Sequence, residues 1–246
     1  MKRCDAKGLA ALLRSSQAVV ALTGAGISVD SGIPSFRGAQ GLWTRYDPLE
    51  YAHIRAFRQD PPKVWKMLLE LDEVISRAQP NPAHLALAAL EQQGKLKGVI
   101  TQNVDNLHQA AGSRTVVEFH GNAHHFVCLR CGRRYAREEL DFSHLPLYCQ
   151  CQGLIKPDVV FFGEEIPALA NAAAWELIER TDLLLVIGTS AAVAPASLLP
   201  YAAKRHGALI VEINLESTNL TANLTDYFIP QSASLVLPQA LALLSA

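Results

Sequence analysis

The chain has 246 residues, 50% of them hydrophobic and 18% charged, with 22 basic against 23 acidic side chains and a formal net charge of -1. That length suits one large domain with a smaller one, and the near-zero charge excludes a general attraction to nucleic acid or a membrane surface. No apolar run reaches the roughly 18 residues of a membrane span and no signal-peptide core follows Met1 to Cys4, so a soluble cytoplasmic protein is expected.

Asp5 to Arg14 carries Leu9, Leu12 and Leu13 at helical spacing and reads as a short helix. Ala18 to Leu22 is an apolar run, hence a buried strand, and it leads straight into Thr23-Gly24-Ala25-Gly26. Two glycines allow a tight turn and a close approach of ligand to main chain. Ser28 to Ser31 is placed to open a helix whose first N–H groups attract a phosphate. This is the layout of a dinucleotide-phosphate site at the first strand–helix turn of an α/β sheet. The third glycine of the usual fingerprint would fall at Val29, and no ribose-binding acid follows about 20 residues on, so a plain tight turn stays open as the alternative. In the continuation, Ser31 to Gly38, Arg37 can pair bidentately with a phosphate and Phe36 can cover an aromatic ring.

Gly38 to Ala52 reads as irregular; its Leu42, Trp43 and Tyr46 are either core for that loop or the lining of a pocket. Asp60-Pro61-Pro62 starts a helix with Val64, Trp65, Leu68, Leu71 and Ile75 on one face. Pro80 and Pro82 end it, and a second helix runs to about Gln93, stopped by Gly94. His84, on that helix, reads as an ordinary partly buried histidine. Gly98 to Thr101 is a second buried strand, and it delivers Gln102, Asn103 and Asp105 to a strand end, where open α/β sheets bind ligands. Asn and Asp also cap helices, so both readings stand. Thr115 to Phe119 is a third strand, ending at His120-Gly121. A histidine there suits a general base or a metal ligand, with His124 and His125 competing for the second role.

Cys128-x2-Cys131-x17-Cys149-x-Cys151 places two close thiolate pairs on either side of a loop, which suits tetrahedral zinc. A filled four-cysteine site has no open position, so the metal is expected to be structural. A nucleic-acid-binding ribbon, using Arg130, Arg133, Arg134 and Arg137, is the competitor. Ile155 to Glu164 returns to β character, with Pro157 implying an edge that can take up an extended peptide by strand addition. A helix over 167–180, strands at Asp182 to Ile187 and Ala208 to Ile213, a helix over 195–206, a weak strand at Asp226 to Ile229 and a C-terminal helix from Pro238 complete the chain. Strands and helices alternate, and polar residues follow successive strands: Gly188-Thr189-Ser190 after the fourth, Asn214-Leu215-Glu216 after the fifth. The fold class is therefore α/β, a doubly wound parallel sheet with its ligand along that edge.

GAGIS…SGIPSFRG, TQNVDNLH, the histidine of FHG, the paired cysteines, PDVVFFGE, GTS and INLE occur in the order of one known family. The chain resembles the sirtuins, NAD-dependent protein-lysine deacylases, over nearly its whole length. The resemblance implies a Rossmann-like NAD-binding domain over 1–37, 79–122 and 153–246. A smaller domain, 38–78 and 123–152, would combine a helical module with the zinc module. It implies NAD contacts at Gly24, Ala25, Gly26, Ser28, Phe36 and Arg37, with Gln102, Asn103 and Asp105 around the nicotinamide ribose. Gly188, Thr189, Ser190, Asn214, Leu215, Glu216 and Ala233 would hold the adenosine half. Asn103 and His120 would be catalytic, His120 as the base. Val159, Val160, Phe161, Phe162, Gly163 and Glu164 would bind an acyl-lysine protein segment as an extended peptide, and Cys128, Cys131, Cys149 and Cys151 one zinc ion. NAD would be consumed, giving nicotinamide, free lysine and acylated ADP-ribose. Ser35 stands where the family often has Asp. Leu68 and Leu71 stand where desuccinylating members carry a Tyr and an Arg that read an acidic acyl group; two leucines offer a carboxylate no partner, so neutral acyl groups are expected. A monomer with no nucleic-acid or membrane partner is expected. ADP-ribosyl transfer, NAD hydrolysis and a non-catalytic NAD-sensing module are the alternatives.

Overall fold

The structure, a computed structural model, describes residues 1–36 and 41–244; Arg37 and Gly38 of the glycine-loop reading lie outside the described residues. Ten strands are present among them: β1 Lys2–Arg3, β2 Val19–Thr23, β3 Leu96–Thr101, β4 Val116–Glu118, β5 Gly121–Cys128, β6 Arg134–Ala136, β7 Ile155–Val159, β8 Leu183–Ile187, β9 Leu209–Ile213 and β10 Tyr227–Ile229. Seven form one sheet in the order β1-β10-β9-β8-β2-β3-β4, and three form another in the order β6-β5-β7. Every pairing in the large sheet is parallel. Its central strands, VVALT and LLLVI, are buried at every position, as unbroken apolar runs are when helices cover both faces.

On one face the helices Ala6–Ser15, Pro82–Gln92 and Ala233–Leu244 bury Leu9, Leu13, Leu87, Leu90, Val236 and Leu237. On the other, Ala168–Arg180 and Leu199–Arg205 bury Ala174, Ile178, Leu199 and Ala203 with Phe119. Each fully buried leucine or isoleucine contributes about 1.5–3 kcal/mol. From β2 the chain steps outward to β3 and β4; from β8 it steps the other way to β9 and β10. The winding therefore reverses between β2 and β8. Such a reversal opens a crevice at the carboxyl ends of the strands.

The antiparallel sheet packs with the helices Pro48–Tyr51, Ile54–Gln59 and Pro61–Arg77 around Phe57, Trp65, Phe126, Leu147, Ile155 and Phe161. The two short helices were not foreseen. Asp47 and His53 cap them, each accepting an N–H two residues on, a signal too local to stand out in an aromatic-rich loop. Leu42 is buried in this cluster and Trp43 and Tyr46 pack against it, which favours the core reading of those residues. Strand β7 pairs with β5 and not with the large sheet, and Ile155 and Phe161 are buried in this same cluster.

Other expectations need correction. The helix expected to open at Ser28 is a 3-10 turn, Ala25–Ser31, that begins at the glycines themselves. The strand expected to run to Glu164 ends at Val159, because the next residues bond elsewhere: Val160 N to the His120 carbonyl, and Phe162 N to that of Ala52. The helix expected from Pro195 is a 3-10 turn, Ala196–Leu198, followed by Leu199–Arg205. The last helix starts at Ala233, five residues before Pro238, which lies inside it. The helix opens at Ser232, whose hydroxyl accepts the Ser234 N–H. Burial of Ala233, Val236, Leu237 and Ala240 outweighs the bond that proline forfeits.

Gly121 joins the two sheets with φ +79°, and a Cβ there would collide with the Asp158 carbonyl oxygen of β7. Both the left-handed backbone and the close approach require glycine. Gly121→Ala is expected to cost on the order of 3 kcal/mol in denaturant unfolding; an unchanged midpoint would contradict this account of the junction.

Candidate active site

Parallel strands send their carboxyl ends to one edge. There β2 delivers Gly24 to Ser28, β3 delivers Gln102 to Asp105, β4 leads to His120, β8 to Gly188–Ser190 and β9 to Asn214–Glu216. Across the switch point the two central loops touch backbone to backbone. Gly24 N donates to the Ile187 carbonyl at 3.0 Å and Gly26 N to that of Gly188 at 2.7 Å. A Cβ on Gly26 would lie 2.7 Å from the Gly188 Cα, and one on Gly24 2.7 Å from the Thr189 Cβ. Gly188 itself sits at φ +58°. The glycines are thus required by packing between two strand ends as well as by any ligand.

Behind this edge lies a buried polar cluster. Asn103 Nδ2 donates to the Gly24 carbonyl at 3.2 Å and to Ser28 Oγ at 3.1 Å. Ser28 Oγ donates to Asp105 Oδ2 at 2.7 Å, and Asp105 Oδ1 accepts the Leu107 N–H at 3.0 Å. Asn103 N donates to Thr101 Oγ1, which also accepts from Thr23 Oγ1 at 2.9 Å; the His108 Nε2 stands 3.0 Å from Thr23 Oγ1. His84, read from sequence as an ordinary histidine, is fully buried in this cluster. Its Nδ1 accepts the Asn81 N–H, so its proton sits on Nε2, 3.5 Å from Ser28 Oγ. The signal for its capping role was Asn81 at N-cap with His84 three residues on; nothing local pointed to Ser28.

His120 Nδ1 lies 3.1 Å from the Gln102 carbonyl. A carbonyl only accepts, so Nδ1 carries the proton and Nε2 is the ring's basic atom. Burial lowers its pKa below the usual histidine value, partly offset by that hydrogen bond. Gln102 Nε2 donates to Thr189 Oγ1 at 3.0 Å and Asn214 Nδ2 to the Thr189 carbonyl at 3.1 Å, which ties the ends of β3, β8 and β9 together. Leu215, Glu216 and Ser190 are exposed, Ala25 is half-buried, and Ala233 is buried at the start of the last helix. Phe36 stacks on Trp43 with ring centroids 5.2 Å apart.

Beyond β7, Phe161 is buried, its N–H bonded to Glu164 Oε2 at 2.9 Å. Phe162 bridges to Ala52 and Ile54 by two backbone bonds of 2.9 and 3.0 Å. Among the described residues the Val160 and Gly163 carbonyls and the Gly163 N–H have no hydrogen-bond partner.

The Sγ atoms of Cys128, Cys131, Cys149 and Cys151 all lie within 4.8 Å of one another. Cys128 and Cys151 are 3.5 Å apart and Cys131 and Cys149 3.6 Å. Tetrahedral zinc at a Zn–S distance of about 2.3 Å needs sulfurs about 3.8 Å apart, so the set fits one ion. The Tyr135 hydroxyl donates to Cys149 Sγ at 2.9 Å and the Arg130 N–H to Cys128 Sγ at 3.4 Å, bonds of the kind that orient a thiolate.

The family model described as the Sir2 family matches residues 24–195. The chain belongs to the Sir2 family. It is 49% identical over 231 residues to NAD-dependent protein deacylase 2 of Pyrobaculum aerophilum, covering 94% of this chain and 92% of that one. It is 44% identical over 234 residues to an NAD-dependent protein deacylase of Pyrococcus furiosus, covering 93% of each. Among solved structures it resembles a Sir2 homolog–NAD complex with a TM-score of 0.91 at 43% identity, covering 99% of this chain and 95% of that one. It also resembles Sir2 bound to a deacetylated p53 peptide and 3'-O-acetyl ADP ribose, with a TM-score of 0.90 at 37% identity and coverage of 97% and 98%. The doubly wound sheet and the four-cysteine cluster of this Sir2-family chain are thus the two parts that its motifs implied.

The two buried histidines make the Sir2 site acid-sensitive. Burial pushes His84 down to about 4 and His108 down to about 3. An unfolded histidine takes its proton near pH 6.5 (roughly). Below that pH the unfolded chain binds protons that both folded rings refuse, so stability is level above it and falls as pH drops towards 4 (about). The unfolding free energy at pH 5 is expected to lie roughly 2–4 kcal/mol below that at pH 7; equal values would show that the rings are not held neutral. For the cysteine cluster, elemental analysis is expected to find one zinc per chain, lost in Cys131→Ser together with thermal stability. Metal-free protein of unchanged melting temperature would refute the zinc assignment.

Proposed function

We propose that this chain removes acetyl and other neutral acyl groups from protein lysines, consuming NAD and releasing nicotinamide, the free lysine and O-acetyl-ADP-ribose. The observation that carries the reading is His120: a ring oriented by the Gln102 carbonyl, with Nε2 as its base, on the same strand edge as the glycine loop and the Asn103–Ser28–Asp105 cluster. A ribose hydroxyl that becomes the acyl acceptor must lose a proton, and Nε2 receives it. Asn103 is held at three points, so its side chain meets the ribose without reorganisation. On this reading Gly24, Ala25, Gly26, Ser28, Phe36 and Arg37 contact NAD, with Gln102 and Asp105 beside its nicotinamide ribose. Gly188 to Ser190, Asn214 to Glu216 and Ala233 serve the adenosine half. Burial of Ile33 and the half-burial of Phe36 and Val159 support a dry site, which protects the charged sugar from water.

The acyl-lysine segment lies extended along Val159 to Glu164, where the backbone groups of Val160 and Gly163 offer strand pairing. Leu68 and Leu71 border an apolar cavity of about 40 Å³ with Trp65, Val104 and Val159. Arg137, the one cation among its described lining residues, is engaged by Asp72 at 2.8 Å. That supports a neutral acyl group. Zinc in the four-cysteine cluster is structural and supports the smaller domain, which we take as 38–78 and 123–152 together with β7, the remainder being the nucleotide domain. Four thiolates kept reduced support a cytoplasmic location, and we read the chain as a monomer. Arg134 and Arg137 pair with Asp158 and Asp72 instead of facing a nucleic acid. No helix among the described residues is long and apolar enough to cross a membrane.

Mass spectrometry of an acetyl-lysine peptide with the purified chain tests the reading. Deacetylation is expected only with NAD, with O-acetyl-ADP-ribose formed, and His120→Ala is expected to lower the rate by about 100-fold or more. A succinyl-lysine peptide is expected to react far more slowly. NAD consumed without deacylation would shift the function to NAD hydrolysis or ADP-ribosyl transfer.

A further inference from the structure

Lys156 is a buried ammonium, with 5% of its side chain exposed. It sits on β7, ahead of the loop that the deacylase reading gives to the peptide. Its Nζ donates to the Val159 carbonyl at 2.5 Å and the Pro157 carbonyl at 3.2 Å, and pairs with Glu164 Oε2 at 3.1 Å. These satisfy all the donors an ammonium has. The same charge stands 5.0 Å from the centre of the Phe161 ring. Glu164 Oε2 also accepts the Phe161 N–H at 2.9 Å. One ion pair therefore ties residue 156 to residue 164, with the chain between them folded around it.

Such a pair is a poor source of stability, since desolvation cancels most of the attraction. What it does supply is geometry. The Val159 carbonyl and the Phe161 N–H are turned inward onto the pair, and Phe162 is stitched to Ala52 and Ile54. The Val160 carbonyl and both backbone groups of Gly163 are left unbonded among the described residues. An added strand pairs with backbone groups only where they hold a fixed spacing. The carboxylate of Glu164, counted from sequence among the peptide-binding groups, faces Lys156.

We propose that Lys156 is a positioning residue for the acyl-lysine peptide: with Glu164 as its counter-ion, it holds the Val160 to Gly163 backbone in the form that accepts the substrate strand. The inference rests on the deacylase reading above. It assigns Glu164 to the loop's interior and leaves peptide recognition at this edge to main-chain groups, which tolerate varied substrate sequences.

The test compares the wild-type chain with K156M, K156R and the K156M/E164Q double variant. Four quantities are measured: peptide KM at saturating NAD, NAD KM at saturating peptide, binding of a fluorescent acetyl-lysine peptide, and melting temperature. K156M is expected to raise the peptide KM and Kd about tenfold or more while NAD KM stays within about twofold. K156R keeps the charge but not the compact ammonium, so it is expected to restore peptide KM and Kd only in part relative to K156M. The double variant leaves no buried charge unpaired, so its melting temperature is expected to recover. Its peptide KM is expected to stay raised, since the brace is gone. Wild-type peptide KM and Kd in the double variant would overturn the proposal and reduce the pair to a stability element. Parallel rises in peptide and NAD KM would overturn it too, as a sign of general distortion. A wild-type chain that turns over no acyl-peptide would be a different failure, that of the deacylase reading itself, and the proposal would fall with it.

Discussion

The contact on which the site depends is the one between the glycine loop and the end of β8. Gly26 donates to the Gly188 carbonyl, and neither backbone has room for a side chain where they meet. This closes the gap left where the winding of the sheet reverses. Once β2 and β8 are locked, parallel pairing sets the height of every other strand end. The Gln102–Asn103 pair, His120, Thr189 and Asn214 then reach one edge from four separate parts of the chain. The crosslinks from Gln102 and Asn214 to Thr189 act on ends that the sheet has already aligned.

Under that edge the chain buries a carboxylate, an amide, three hydroxyls and two imidazoles. Polar groups in an apolar interior are costly unless each finds a partner, and here the partners are one another. Ser28 is the hub: it accepts from Asn103, donates to Asp105 and has His84 beside it. The His84 and His108 rings meet edge to face, 4.9 Å between centroids. Two such rings in contact are tolerable because burial keeps both neutral. The His108 Nδ1 is left without a partner among the described residues.

Much of the plan was legible from the chain alone. VVALT and LLLVI read as buried strands, and the polar residues after each strand marked the edge. The spacing of Cys128, Cys131, Cys149 and Cys151 announced a cluster before any geometry was known. What stayed hidden was set by tertiary contact. The turn at Ala25 is 3-10 because Gly26 must reach Gly188. The loop after Val159 leaves the strand because His120, Ala52 and Ile54 claim its backbone. Pro238 lies inside a helix because the face it interrupts is buried. His84 gave no hint of its place beside Ser28, since the two lie 56 positions apart in the chain. Lys156 looked like any charged residue until its three acceptors were seen together.

The strand β5 begins at Gly121, next to His120, and ends at Cys128. It bulges between Asn122 and Phe126, so its ends lie closer than eight extended residues would put them, with the proposed base next to one end and a thiolate of the cysteine cluster at the other. Its far end carries a cluster that fits one zinc ion, and its near end meets β7 at Gly121, where a Cβ would collide with the Asp158 carbonyl. A zinc ion held there would reach the base through this one strand, as the tension on a stay sets the angle of a mast. In a chain assembled this way, losing the ion would first show as slackness in the histidine's aim.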